Sequence, residues 1–250
     1  MTTHQPRSLP APSWRDPFVL IVVGQINAGN RGRPRARAGS GTYAISVDGL
    51  IRLEDPLPGA SGSGGSPWPY WASLRQASHP HAQIIVGAIA QSSSAVADWT
   101  AGGTHAQRLP QLLVGLRQQG LQPDAVLWHQ GETEAWSNTD PATYAANLRS
   151  WLASVRALGI NAPIYVSLTS RDRQGVINPG IRLAQASVWS RQENVFAGPD
   201  TDSLDSDFRS DGVHFNQSGL EAFACLLEQA MTLRSDRRAP RFDDSQPCNS

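Results

Sequence analysis

The stretch FVLIVVGQINAGNRG (residues 18–32) is an unbroken apolar run that stops at Gly24-Gln25. A strand exposed on one face alternates apolar and polar residues. This one does not, which predicts a strand covered on both faces, as in a parallel sheet. QIIVGAIA (83–90), DAVLWHQ (124–130), PIYVSLTS (163–170) and NVFAGPD (194–200) read the same way. Between them, residues 68–78, 104–120, 140–159, 179–193 and 216–234 carry helical spacing. Leu112, Leu113 and Leu116 share one helix face, as do Leu148, Leu152 and Val155, and both sets read as core. Alternating strands and helices predict a three-layer α/β/α sandwich around a mainly parallel five-stranded sheet, with right-handed crossovers. Ligands in such sheets sit beyond the carboxyl ends of the strands. That rule singles out residues 24–27, 91–94, 130–134 and the loop from 200 to 214.

Bulk properties narrow the function class. At 250 residues with 40% hydrophobic content, the chain is long enough for one large core. One domain over 15–234 accounts for the pattern, with an N-terminal extension at 1–14 and a polar C-terminal tail at 235–250. Lysine plus arginine and aspartate plus glutamate both number 21, so no global charge steers the chain to nucleic acid or membrane. No apolar run reads as a signal peptide or membrane span, so a cytoplasmic setting is expected, with secretion of a longer precursor left open. Cys225 and Cys248 are too few for a disulfide framework, and their pairing is left open. The histidines and acids show no metal-ligand spacing, so neither metal nor cofactor is expected. The partner implied is a small molecule or glycan; the sequence leaves the oligomeric state open.

Asp211-Gly212-Val213-His214 places an acid three residues before a histidine, close enough for the carboxylate to orient the imidazole through a turn. In Trp128-His129-Gln130-Gly131-Glu132-Thr133-Glu134, Gln130 is a neutral donor suited to a developing oxyanion. Glu132 and Glu134 either place carboxylates in the same cleft or serve as loop charges and a helix cap. Arg31, Arg33, Arg35 and Arg37 alternate along one loop. They either face an anionic sugar or carboxylate or form a mobile solvated run. Trp68, Trp71, Trp99 and Trp136 flank predicted loops, as sugar-stacking or packing residues.

Four segments together resemble the SGNH hydrolase superfamily, and within it the sialate O-acetylesterase-like carbohydrate esterases. They are VVGQINAGN, AIAQSSSAVADW, LWHQGETEA and DGVHF, in that order, and DPLPGASGSGGSPWP (55–69) resembles a further loop of bacterial members. The resemblance covers roughly residues 18–230 and implies the SGNH, flavodoxin-like arrangement of the sandwich. It implies His214 and Asp211 as the catalytic base and its orienting acid, and Gln130 as an oxyanion donor. Gln25 and Asn27 keep the places flanking the nucleophile, and Glu132 matches a buried acid that braces the nucleophile loop. The nucleophile position itself, serine in the family, is Ile26. Where the family has glycines in the second block, this chain has Ser92 and Ser93, and Glu134 stands where aspartate is usual.

Isoleucine has no proton to give and no lone pair to attack with, so an acyl-enzyme at position 26 is closed. The sequence leaves three routes. Ser92, Ser93 or Ser94 replaces the missing hydroxyl, or His214 activates water on an ester or, with Glu132, Glu134 or Asp211, on a glycosidic bond. Alternatively the cleft binds carbohydrate without hydrolysis or serves another biosynthetic reaction, such as a transferase or cyclase step. Gln25, Asn27, Glu132, Glu134 and Arg31 are the expected substrate-binding residues.

Overall fold

The computed structural model describes residue 9, residues 13–46 and residues 48–235. Its strands are β1 (Pro17–Gly24), β2 (Thr42–Ser46), β3 (Gly49–Arg52), β4 (Gln83–Ala90), β5 (Ala125–His129), β6 (Ile164–Leu168) and β7 (Val195–Asp200). They form one sheet in the order β3-β2-β4-β1-β5-β6-β7. Every neighbouring pair is parallel except β2 with β3.

The unbroken apolar run of β1 is explained by its position. Val19, Ile21 and Val23 point into a core with Leu112, Leu113 and Leu116 of α2 (Arg108–Gln118) and Leu148, Leu152 and Val155 of α4 (Pro141–Ala157). Leu20 and Val22 point the other way, against Trp68 and Trp71 of α1 (Trp68–Ser78) and Phe223 and Leu227 of α6 (Gln217–Ser235). Each such buried side chain contributes about 1.5–3 kcal/mol, so both faces of one strand hold the three layers together. The two leucine-rich helix faces read as core are indeed buried.

The mainly parallel α/β sandwich agrees with the sequence, but the sheet has seven strands rather than five. The missed pair, β2 and β3, is an antiparallel hairpin at the sheet edge. Edge strands are partly exposed, and these carry Thr42, Ser46 and Arg52 among their apolar residues, which breaks the run-based signal. A five-residue helix, α3 (Glu132–Trp136), follows β5, where the sequence suggested loop charges or a cap. Helix α5 (Pro179–Ala186) stops earlier than its pattern suggested, because Ser190 pairs with Val195 at the start of β7. No helix among the described residues is long and apolar enough to cross a membrane. The pairing of Cys225 with Cys248, and nearly all of the polar tail, fall outside the described residues.

The strand order places β1 between β4 and β5, so chain connections leave in opposite directions on its two sides. The crevice this opens lies at the carboxyl ends of β4, β1 and β5. The three loops bearing Ser92, Ile26 and Gln130 start there.

Candidate active site

Strand β1 ends at Gly24 because nothing larger fits: a Cβ there would lie 2.0 Å from the His129 carbonyl oxygen. Gln25 N then donates to that carbonyl at 3.1 Å, and residues 26–28 form a single 3-10 turn. Asn27 is buried. Its amide donates to Glu132 Oε1 at 3.2 Å and to the Val213 carbonyl at 3.3 Å, which ties the first loop to the third and fourth. Ile26 is half-buried at the turn.

In the second loop, Ser92 Oγ pairs with Ser61 Oγ at 2.8 Å and accepts from Arg31 Nε at 3.0 Å. Ser94 is buried, donating to the Gln91 carbonyl and accepting from Trp99 Nε1. No hydrogen bond joins any of these serines to His214. Ser93 is exposed and holds φ +61, the left-handed conformation that favours glycine. This serine stands where the family resemblance expects glycine, and the backbone has kept the glycine shape. Among the described residues, the backbone N–H groups of Ile26 and Ser93 have no protein acceptor.

The third loop departs from its expected role. Gln130 is fully buried, and its side-chain amide donates to the Ser94 carbonyl at 3.1 Å, to Gln25 Oε1 at 3.1 Å and to the Glu134 carboxylate. An amide nitrogen has two hydrogens, and both are engaged inside the protein. Gln130 therefore holds loops together in this arrangement instead of offering a donor to the cleft. Glu134 is equally internal: it accepts from Val96 N at 2.5 Å, and burial raises its carboxyl above the usual range. It lines neither the wide groove nor the narrow cavity at the strand ends. Glu132 accepts from Asn27 with one oxygen, while the other is buried without a partner. Burial raises its carboxyl to about 7. His129 is wholly buried and bonds to Thr201 Oγ1 at 2.9 Å; burial lowers its imidazole to about 3, so it is neutral.

The fourth loop carries the acid–histidine pair, which closes across a turn. His214 Nδ1 lies 2.6 Å from Asp211 Oδ2, while Asp211 Oδ1 accepts from Val213 N at 3.0 Å and His214 N at 2.8 Å. Partial burial pushes the Asp211 carboxyl up, but the bonds from His214 and these amides outweigh it and bring it down to about 2. An anionic Asp211 fixes the proton on Nδ1 and leaves the Nε2 lone pair basic. Nε2 is itself buried and has no hydrogen-bond partner.

Arg209, which the sequence did not single out, anchors this loop. Its guanidinium donates to the carbonyls of Val213 at 2.6 Å, Thr201 at 2.9 Å and Leu204 at 3.1 Å, and it stacks on Phe215 at 4.4 Å. Burial lowers it to about 10, so it stays cationic at neutral pH. Every one of these contacts is a backbone carbonyl or a ring, and no residue pattern announces them.

Two cavities open at the strand ends. The wide one, about 1020 Å³, is lined by Asn30, Arg31, Arg33, Arg35, Asp211 and His214, among others. The narrow one, about 30 Å³, is lined by Gln25, Ile26, Ser93, Glu132, Trp136 and Val213, among others. Ile26 and His214 thus face different cavities. Of the tryptophans, Trp68, Trp71 and Trp99 are core residues, whereas Trp136 is half-exposed beneath Arg173, whose guanidinium lies 3.7 Å from its ring.

Residues 64–232 match the family model described as SASA, carbohydrate esterase, sialic acid-specific acetylesterase. Among solved structures, a protein from Arabidopsis thaliana is 20% identical with TM-score 0.72, covering 88% of this chain and 98% of its own. NanS is 14% identical with TM-score 0.67, covering 92% and 100%. A carbohydrate acetylesterase from Xanthomonas citri is 15% identical with TM-score 0.60, covering 85% of this chain and 55% of its own. At these identities the likeness is one of fold. No curated protein matches the chain. By the family match, which spans most of the sheet and the acid–histidine loop, the chain belongs to the sialic acid-specific acetylesterase family of carbohydrate esterases.

Proposed function

We propose that the chain hydrolyses an acyl ester on a carbohydrate or similar small molecule, with water activated by His214 in place of the family's serine. The observation that supports this best is the Asp211–His214 pair, closed at 2.6 Å with a basic Nε2 left over. A water at Nε2 gives up a proton as its oxygen attacks the ester carbonyl. The carbonyl oxygen becomes an oxyanion, met by the free N–H groups of Ile26 and Ser93. Collapse expels the sugar oxygen, which takes the proton back from His214, and no acyl-enzyme forms. Gln25, Asn27, Gln130 and Glu132 position the loops around this centre.

Loss of the nucleophile in a triad typically costs about 10⁶ in turnover and leaves about 10³–10⁴ over water from the oxyanion hole and binding. A slow but real hydrolase is the expected outcome. Rates on an O-acetylated sugar for the wild type and His214→Ala test it. Hydrolysis above background that disappears in the variant supports the reading, and equal background rates in both overturn it.

One observation favours a second reading, a carbohydrate-binding protein without turnover. Nε2 of His214 has no open surface, so water reaches it only after a shift of the surrounding side chains. That reading expects sugar binding that survives His214→Ala and no hydrolysis in either protein.

A further inference from the structure

We propose that Arg31, Arg33 and Arg35 form a subsite for a dianionic group on the bound carbohydrate. This rests on reading the wide groove as the substrate cleft.

The alternation in NRGRPRARAGS reads as either a mobile run or an anion-facing one, and the backbone decides between them. Gly32 N donates to the Gly65 carbonyl at 2.9 Å and Gly65 N returns to the Gly32 carbonyl at 2.6 Å. Arg33 N donates to the Phe215 carbonyl at 3.0 Å, next to His214, and Ala36 N donates to Asp55 Oδ2 at 2.9 Å. The glycines of the 62–65 segment make this close approach feasible: a Cβ on Gly65 would fall 1.9 Å from the Pro34 carbonyl oxygen. Gly32 faces inward, where a Cβ would meet Leu220 at 2.6 Å. Its neighbours Arg31 and Arg33 are exposed and line the groove, as the two-residue period of an extended chain requires. The arginines are held on a fixed backbone.

Charge then sets the ligand. Arg37, the fourth in the series, is paired with Glu54 at 3.5 Å and does not line the groove. Among the described residues Arg31, Arg33 and Arg35 form no ion pair with a carboxylate; Arg35 also acts electrostatically on the buried Asp55, which does not line the groove. The groove's acid, Asp211, is engaged by His214. Counting guanidinium and carboxylate groups alone, the groove lining sets three arginines against one acid, a surplus of two positive charges. Arg31 and Arg35 are each tethered through Nε, to Ser92 Oγ and to the Ser63 carbonyl, so their terminal nitrogens stay available as forks for oxyanions. A single sugar carboxylate matches half of that surplus. A phosphomonoester, or the two carboxylates of adjacent acidic sugar residues, matches all of it.

Calorimetric titration of the full chain tests this without reference to turnover. The ligands are glucose 6-phosphate, digalacturonate, the monoanionic N-acetylneuraminate and neutral glucose. The expected order places the two dianions roughly tenfold tighter than the monoanion, with glucose weakest, and the gap narrows as salt is added. Whichever dianion binds more tightly identifies the source of the charge. Arg33→Gln, which removes an exposed side chain, is expected to weaken dianion binding roughly tenfold, and Arg33→Lys to restore part of it. Dianions no tighter than N-acetylneuraminate, or dianion affinity unchanged in Arg33→Gln and in an Arg31→Gln/Arg35→Gln double variant, would overturn the proposal. The titrations read binding without turnover, so failure of the hydrolytic reading and failure of this one are told apart.

Discussion

The wide groove and the narrow cavity share one set of strand ends, yet they carry different groups. The groove keeps the acid–histidine pair and adds a cationic wall from the arginine loop. The narrow cavity contains Ile26, at the position where the family resemblance expects the nucleophile, together with Ser93 and the buried Glu132. The difference teaches that the side chain at position 26 is not part of what holds the loops together. Asn27, Gln130 and Glu134 knit the loops through buried hydrogen bonds, and none of those bonds involves the side chain at position 26. A substitution there changes chemistry and leaves the architecture standing.

The strongest way to break the contrast is to put the hydroxyl back. Ile26→Ser supplies a hydroxyl at the position the family resemblance expects for the nucleophile, and hydrolysis of an O-acetylated sugar is expected to rise by about 10²-fold or more. Initial rates check it. No increase would mean that His214 and position 26 do not reach each other across the two cavities.

Removing a brace tests the claim that the loops, and not the nucleophile, hold the site. Glu134→Ala leaves Val96 N and the Gln130 amide without their buried acceptor, and a loss of about 3 kcal/mol is expected. Urea unfolding measures it; a loss below about 1 kcal/mol would refute the bracing role.

Glu132 sharpens the comparison through pH. Burial raises its carboxyl from 4.5 to about 7, so over that window the folded protein holds a proton that the unfolded chain has released. Stability therefore falls as pH climbs from about 4.5 to about 7, by on the order of 3 kcal/mol. Glu132→Gln removes the titrating group and is expected to flatten that part of the stability profile, followed by melting temperature at successive pH values. An unchanged slope would contradict the assignment. The smallest effect is at Ser93, where φ +61 strains a residue with a Cβ. Ser93→Gly is expected to stabilise the chain by about 0.5–1 kcal/mol, visible as a higher unfolding midpoint.

What the sequence disclosed follows the range of the interactions. The runs of β1 and β4 were legible because burial on both faces leaves no polar residue in either centre. The Asp211–His214 pair was legible because three residues suffice to close it. The β2–β3 hairpin was not, since an edge strand is under no pressure to be uniformly apolar. Of the acceptors that turn the Gln130 amide inward, Glu134 is local, but Gln25 and Ser94 lie 105 and 36 residues away and leave no local trace. The order in the arginine loop is likewise set from outside, by the backbone of Gly64 and Gly65 and the Phe215 carbonyl. Arg209 acts through backbone carbonyls and the Phe215 ring, and no side-chain pattern in the sequence marks those contacts.

The claim that water replaces serine is tested most directly by the mass of the protein during turnover of an O-acetylated sugar, quenched before the substrate is consumed. The account predicts product formation that depends on His214 while the protein keeps its unmodified mass. An acetyl adduct, on Ser93 or any other hydroxyl, would contradict it.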